Sequence, residues 1–272
     1  MKISDRRNFL HVGLTGLAGL RYAPLLGGLA GCQQVPTQST PMNGTPRSTA
    51  ERPTSALSTA KLTDRVSVIS GAPGNVVVLS SSDGLVLVDS GSAAMAKAVR
   101  ANLGSVPVRT LINTHYHADQ TGGNALFGAA STSIHAHEIT KQWLATDYYV
   151  PAEDRWVKAL PAVALPTTIF REKSEMKAGE ESIECGYLLE AHTRGDIYVF
   201  FRDSNVLAVG DAASPLRDPA LDWFAGGWIG GRVDSMGELL KLANDDTRII
   251  PAYGPVMTRA ELQVEQQMMK HL

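Results

Sequence analysis

Two histidines and an aspartate stand close together in the segment Thr114–Gly123, which reads THYHADQTGG. His115 and His117 are two residues apart, and Asp119 follows after another two. Side chains two apart on an extended chain point to the same side, so these donors can converge with little loss of chain entropy. Imidazole nitrogens and carboxylate oxygens are ligands of zinc and related cations. The spacing indicates a metal site, although two histidines on one face of a strand without metal have the same spacing.

Further polar residues follow other apolar segments with the composition of strands. VDSG around Asp89 precedes the histidines, HTRGD begins at His192, a Gly-Asp pair ends at Asp211, and PAYGP surrounds Tyr253. This ordered series resembles the metallo-β-lactamase superfamily. The signature segments of that family are an early strand-end Asp, a His-x-His-x-Asp-His loop, a later His, a Gly-Asp and a late Pro-Gly-His-Gly. The resemblance covers nearly all of the predicted folded part.

The resemblance implies an α/β fold, a four-layer αββα sandwich with a metal site at one edge of the two packed sheets. His115, His117 and His192 match the ligands of the first metal. Asp119 matches a ligand of the second metal, and Asp211 matches the carboxylate that bridges both metals in hydroxyacylglutathione hydrolase-type members.

Two positions depart from the family pattern. Gln120 stands where most members have a second-site histidine, and Tyr253 stands where the late histidine would be. Glutamine offers an amide oxygen, and tyrosine ligates well only as a phenolate, whose pKa is near 10. We therefore expect one firmly bound zinc ion and a weaker second site that takes zinc, iron or manganese. The donors of that second site would be Asp119, Asp211, Gln120 and Tyr253. Asp89 matches a position that orients the histidine loop without touching metal.

Three histidines with an open fourth position are typical of a catalytic zinc, which can turn bound water into hydroxide at neutral pH. The expected reaction is hydrolysis of a small ester, thioester, lactone or lactam. Asp119 would orient the water and pass a proton to the leaving group. Tyr253 would donate its hydroxyl to the developing oxyanion, or is a packed aromatic that satisfies a nearby carbonyl. The alternative function is a metal-binding envelope protein without turnover, because the second-site histidines are missing.

Candidate substrate contacts come from DWFAGGWIGG, residues 222–231. Four glycines beside two tryptophans make a poor helix, so we expect a loop that presents Trp223 and Trp228 at the mouth of the pocket. The other interpretation is a tight turn that leads into a helix at Ser235. Arg217 is the nearby cation that we would test for contact with a substrate carboxylate.

Alternating strands and helices must position these residues. The predicted strands are 75–80, 85–89, 108–113, 131–136, 167–170, 182–190, 197–201, 206–209 and 248–251, and the predicted helices are 93–103, 138–145, 235–243 and 259–269. Mixed alternation of this kind predicts sheets covered by helices. His135 and His137 fall where a strand runs into a helix start, which favours packing over metal binding.

The first 32 residues have the layout of a bacterial export signal. Arg6 and Arg7 precede an apolar, glycine-rich stretch that ends in LAGC at Cys32, which is typical of a twin-arginine signal with a lipobox. Arg21 and Pro24 argue against a membrane-spanning anchor. We expect export across the inner membrane and a periplasmic or lipid-anchored protein, with Cys32 as the membrane attachment.

Composition sets the remaining limits. The chain has 272 residues, a net charge of −2, 44% hydrophobic and 19% charged residues, which indicates a globular protein and excludes a nucleic-acid partner. Residues 33–60 are rich in Pro, Ser and Thr and predict a flexible linker, so that the folded domain is 61–272. We expect a small-molecule substrate, and the oligomeric state stays open. If Cys32 carries lipid, Cys185 has no disulfide partner and is expected to be a small buried residue at a strand end.

Overall fold

The computed structural model describes residues 56–151, 154–215 and 221–272. The predicted export signal, Cys32 and Arg217 lie outside these residues, and the domain limits at 32 and 60 stay predictions. Among the described helices, none has both the length and the apolar composition needed to cross a bilayer.

The described residues form strands and helices in an alternating order. The strands are β1 (Ser58–Lys61), β2 (Val66–Ser70), β3 (Val76–Ser81), β4 (Gly84–Val88), β5 (Val108–Ile112), β6 (Ser133–His137), β7 (Tyr148–Val150), β8 (Arg155–Val157), β9 (Thr168–Phe170), β10 (Lys173–Ala178), β11 (Glu181–Tyr187), β12 (Ile197–Phe201), β13 (Val206–Gly210) and β14 (Arg248–Pro251). The helices are α1 (Ala96–Asn102), α2 (Ala118–Thr121), α3 (Asn124–Ala129), α4 (Glu138–Leu144), α5 (Ile229–Leu242) and α6 (Arg259–Met269).

Two mixed sheets make up the fold. The first sheet has the order β1-β2-β3-β4-β5-β6-β9 and the second the order β10-β11-β12-β13-β14. In the first sheet β1 to β4 are antiparallel and β4, β5, β6 and β9 are parallel. In the second sheet only β13 and β14 run parallel. The short pair β7 and β8 forms a separate antiparallel ribbon.

The side chains of β3 and β4 point alternately to the two faces of the first sheet, and both faces are buried. This explains why these two strands are continuously apolar. Val77, Leu79, Val86 and Val88 pack against residues of the second sheet. Val76, Val78, Leu85 and Leu87 pack against α1 and α3. On the far side, the second sheet packs against α5 and α6 through Leu207, Val209, Met236, Leu239 and Leu262. The layers are therefore helix, sheet, sheet, helix, and the predicted αββα sandwich is confirmed.

Several element boundaries differ from the sequence predictions. β1 starts at Ser58, inside the segment predicted as linker, and pairs with β2. The strand predicted over 182–190 ends at Tyr187. β10 was not predicted from the sequence. Its segment is largely polar, and its exposed residues alternate with residues that are only partly buried. Cys185 lies within β11 rather than at its end and is fully buried, which raises the pKa of its thiol to about 12.

The glycine-rich segment is partly helical, which corrects the expectation of a loop. A 3₁₀ turn covers Trp223–Ala225, and α5 begins at Ile229, six residues before the predicted start at Ser235. The helix tolerates Gly231 because a Cβ there would overlap the carbonyl oxygen of Glu190. Close approach of two backbones therefore outweighs the low helix propensity of glycine.

Candidate metal centre

The histidine loop begins where β5 ends, and Asp89 fixes it from the end of β4. Asp89 Oδ1 accepts a hydrogen bond from the Thr114 backbone N–H (2.8 Å), and Oδ2 accepts one from Thr114 Oγ1 (2.7 Å). Asp89 has a positive φ of 61°, a conformation that aspartate adopts more readily than most residues. Burial raises the pKa of its carboxyl group to about 8 against the opposing effect of these bonds. The predicted role of Asp89 in orienting the loop fits this geometry.

Four side chains from two loops and one strand end bring metal-type donors together. His115, His117, His192 and Asp211 each offer one donor atom, and these atoms lie within 4.8 Å of one another. His117 Nδ1 is 3.1 Å from His115 Nε2 and 3.1 Å from His192 Nε2. Asp211 Oδ2 is 3.5 Å from His115 Nε2 and 3.7 Å from His192 Nε2.

These separations fit one tetrahedral cation. Donors at zinc–nitrogen and zinc–oxygen distances lie about 3.3 Å apart along the edges of a tetrahedron. The four separations given above run from 3.1 to 3.7 Å, and every pair of the donor atoms lies within 4.8 Å. Three imidazoles and one carboxylate are also ligands that zinc accepts. The geometry and the chemistry of this His/Asp site therefore both suit a metal ion.

The environment sets the protonation of the imidazoles. His115 is fully buried, and burial together with His117 and His192 lowers its pKa well below 6.5. A neutral ring is the form that binds metal. Burial also disfavours charge on His117, but the hydrogen bond of Asp222 and the charges of Asp119 and Asp222 raise its pKa above 6.5.

Two of the histidine rings are oriented by contacts to the ring nitrogen that faces away from the other donors. Thr114 Oγ1 lies 3.1 Å from His115 Nδ1, and Asp222 Oδ2 lies 2.9 Å from His117 Nε2. Tyr116 donates its hydroxyl hydrogen to the same oxygen of Asp222. Burial opposes ionisation of Asp222, but the bonds of His117 and Tyr116 lower its pKa to about 2. A carboxylate on the far nitrogen of a ligating histidine fixes its tautomer and raises its basicity.

Sequence reasoning missed this role of Asp222. The residue is 105 positions from His117, and in the sequence it only opens a glycine-rich segment. No spacing signal links the two.

Asp196 shapes the loop that presents His192. Its Oδ2 accepts hydrogen bonds from the backbone N–H groups of His192 (2.5 Å) and Thr193 (2.6 Å), and its Oδ1 accepts one from Thr193 Oγ1 (2.9 Å). Burial raises the pKa of Asp196 to about 6 despite these bonds. Gly227 lies against the same loop, since a Cβ there would overlap the His192 carbonyl oxygen.

Three of the four residues predicted for a second metal lie outside the four-donor group, and the fourth, Asp211, belongs to it. Tyr253 donates its hydroxyl hydrogen to Asp119 Oδ2. Gln120 is fully buried with its amide against Gly74, and neither of its polar side-chain atoms has a hydrogen-bond partner among the described residues. Asp119 is thus paired with the residue that stands at the late histidine position.

Comparison with known proteins agrees with this architecture. The family profile of the metallo-beta-lactamase superfamily matches residues 69–254. The chain belongs to this superfamily. The 2,4-dinitroanisole O-demethylase subunit alpha of Nocardioides sp. (strain JS1661) is 25% identical over 184 residues, 64% of this chain, and the match spans about half (52%) of that relative. The metallo-beta-lactamase type 2 of Bacillus cereus is 24% identical over 195 residues, 70% of each chain.

Solved structures share the fold. The metallo-beta-lactamase from Pontibacter korlensis superposes with a TM-score of 0.66 at 17% identity, over 79% of this chain and all (100%) of that one. DIM-1 metallo-beta-lactamase superposes with a TM-score of 0.63 at 18% identity, over 80% of this chain and 98% of that one. At this identity the likeness establishes the fold alone.

The two tryptophans and the second pair of histidines that the sequence analysis considered are not among the four donors. Trp223 and Trp228 are 85% and 54% exposed, and the ring of Trp228 covers Gly230 at the start of α5. His137 stacks on Tyr187 with ring centroids 4.2 Å apart, and its Nε2 lies 2.8 Å from the Arg171 carbonyl oxygen. His135 and His137 are not part of the four-donor group.

Proposed function

We propose that this protein is a zinc-dependent hydrolase that cleaves a small ester, thioester, lactone or lactam. The observation that carries the proposal is the convergence of the nitrogens of three histidines, with Asp211 at the longer distances of 3.5 and 3.7 Å from two of them. This donor set stands in a superfamily fold whose relatives include a metallo-beta-lactamase of Bacillus cereus. Neutral imidazoles with a single carboxylate favour zinc over magnesium or calcium, which prefer oxygen ligands.

A zinc ion in this site would supply a water of lowered pKa and would polarise the substrate carbonyl. The protein supplies the groups that orient and move protons. Asp119 carries the carboxylate beside the donor group, and its Oδ2 is held by Tyr253. We assign Asp119 to accept a proton and to return it to the leaving group, with Tyr253 fixing its rotamer.

The same geometry supports a single ion in this protein. Asp119 is hydrogen-bonded to Tyr253, and Gln120 turns its amide toward Gly74. A second cation would have to displace the Tyr253 hydrogen from Asp119 and would find neither of the two histidines that most family members supply. The second metal of the family pattern therefore does not fit the residues present here.

A second candidate function is metal binding without turnover. One observation favours it: Asp211 Oδ2 lies 3.5 and 3.7 Å from two of the imidazole nitrogens, so that it can close the tetrahedron as a fourth protein ligand. Closed sites with four protein ligands are typical of structural zinc, whereas catalytic zinc keeps a position for water.

Turnover with and without chelator separates the two functions. The panel would contain a chromogenic lactam, lactones, thioesters, aryl esters and 2,4-dinitroanisole, the compound after which one relative is named. Chelator-sensitive turnover that His117→Ala abolishes supports the hydrolase. Stoichiometric zinc with no turnover across the panel supports the binding protein.

We also propose that the protein is exported and anchored to the envelope through Cys32. The paired Arg6 and Arg7 and the segment LAGC support this location. Metabolic labelling with radioactive palmitate should mark the natural chain and leave Cys32→Ala unlabelled. Label on Cys32→Ala would contradict the proposal.

A further inference from the structure

An aromatic cleft lies between α4 and the 3₁₀ turn at Trp223–Ala225. Its volume is about 510 Å³, within the usual range for small-molecule sites. Four aromatic side chains line it, with Arg194 and Gln142 as the principal polar groups. The aromatic residues are Trp143, Tyr148, Trp223 and Phe224. None of the four donor residues of the metal centre lines this cleft.

The inner rings of the cleft are fixed by one another. Trp143 stacks on the buried Tyr116 with centroids 4.9 Å apart and meets Tyr148 edge-on at the same 4.9 Å. The rings of Phe224 and Trp143 are tilted against each other, with centroids 5.8 Å apart. These distances are typical of favourable aromatic pairs. A ligand would therefore meet ring faces and edges that are already ordered, which lowers the entropic cost of binding.

The outer wall exposes apolar surface that the fold does not use. Trp223 is 85% exposed and Phe224 is 52% exposed, and in the described part of the chain no ring stacks on Trp223. The turn that carries them is nevertheless held in place. Asp222 Oδ1 accepts a hydrogen bond from Ala225 N (3.0 Å), and Arg194 N donates to the Ala225 carbonyl oxygen (2.9 Å). Exposed apolar patches on ordered elements mark binding surfaces.

Charge narrows the class of ligand. Aromatic walls by themselves would also attract a cation, but Arg194 on the rim opposes one. Nε and Nη2 of Arg194 contact Glu190 Oε1 at 3.3 and 3.0 Å. A guanidinium has five N–H donors, so Arg194 keeps donors for a carboxylate or carbonyl oxygen of a ligand. We propose that the aromatic cleft binds a planar aromatic ring that carries such an acceptor group.

The proposal stands independently of the proposed hydrolytic function, because it concerns binding outside the metal centre. The two places are linked through Asp222, which contacts His117 Nε2 on one side and Ala225 of the cleft on the other. A binding measurement without turnover therefore tests the cleft even if the metal centre proves to be inert.

Isothermal titration calorimetry of the zinc-loaded full chain with 2-naphthoate tests the proposal. We expect saturable binding of one molecule per chain, weakened by about fivefold or more in Trp223→Ala and largely retained in Trp223→Phe. The matched control is Trp156→Ala, since Trp156 is another exposed tryptophan (63%) and lies outside the lining of the cleft. The control should bind like the natural protein.

A second ligand and a second variant test the charge argument. The cation 2-naphthylmethyl-trimethylammonium should bind more weakly than 2-naphthoate, and Arg194→Gln should remove that preference. Equal affinity of Trp223→Ala and the natural protein would overturn the proposal and would place the carboxylate on the metal centre or elsewhere. Tighter binding of the ammonium ligand would also overturn it.

Discussion

The hydroxyl group of Tyr253 donates its hydrogen to Oδ2 of Asp119, a residue 134 positions earlier in the chain. These two residues occupy the positions of a late histidine and a second-site ligand in the family pattern. Their direct bond gives both side chains a partner that is not a metal. The bond thus explains how the fold can keep the three-histidine site although the second site lacks its two histidines.

Metal stoichiometry should reflect this bond. Elemental analysis of the purified protein should find about one zinc per chain. The double variant Gln120→His/Tyr253→His should bind a second ion, because it restores two imidazoles beside Asp119 and breaks the bond to Tyr253. Two ions in the natural chain would refute the single-ion site.

Asp222→Asn should weaken zinc binding by about 10- to 100-fold, the usual effect of removing a carboxylate from the far side of a ligating histidine. Competition with a chromogenic chelator measures the affinity. The control is Asp234→Asn, which removes an exposed carboxylate of α5 and should leave the affinity unchanged. Equal affinities for the two variants would mean that Asp222 does not support His117.

Substitutions of Asp119 and of Tyr253 should lower kcat to different extents. Asp119→Asn should lower kcat by about 10²- to 10⁴-fold, since it removes the proposed proton acceptor, while one zinc per chain is retained. Tyr253→Phe should lower kcat less, because it removes only the bond that holds the Asp119 carboxylate. A larger loss in Tyr253→Phe than in Asp119→Asn would instead assign the chemistry to the tyrosine hydroxyl.

Gly227→Ala should displace the loop that carries the ligand His192 and should lower the stability of the fold. A Cβ at Gly227 would overlap the His192 carbonyl oxygen, so that the loop carrying this ligand must move, and we expect a loss of about 1–3 kcal/mol in the free energy of unfolding. Urea denaturation measures it. Gly237→Ala in α5 is the control, because its Cβ would approach only the Gln266 amide at 3.1 Å. That variant should be near neutral or more stable.

The stability of the metal-free protein should depend on pH through Asp89. Burial raises its pKa from 3.8 to about 8, so that the folded state holds a proton which the unfolded state releases. This contribution is fully present below pH 4 and is lost as the pH rises to about 8, with a slope of at most about 1.4 kcal/mol per pH unit. Asp89→Asn should reduce the slope in urea titrations between pH 5 and 8. An unchanged slope would show that Asp89 is ionised in the folded protein.

The amino-acid sequence was enough to predict sheets covered by helices, and its resemblance to the superfamily implied the four layers and all four members of the donor group. Continuous apolar strands such as β3 and β4 can only be buried on both faces, and helices must cover them. The order of the segments around Asp89, His115, His192 and Asp211 indicated which strand ends would meet. These are local properties of composition and order, so that they can be read without a structure.

The contacts of the individual polar residues became visible only in the folded chain. Asp222 supports His117, Asp119 pairs with Tyr253, and Gln120 turns toward Gly74. Each of these relationships joins residues that the sequence places far apart, and the packing of the two sheets sets the distances between them. The glycine at position 231, in the first turn of α5, likewise follows from the close approach of the Glu190 backbone. Propensity describes one residue in its own segment, whereas such contacts depend on how separate segments pack together.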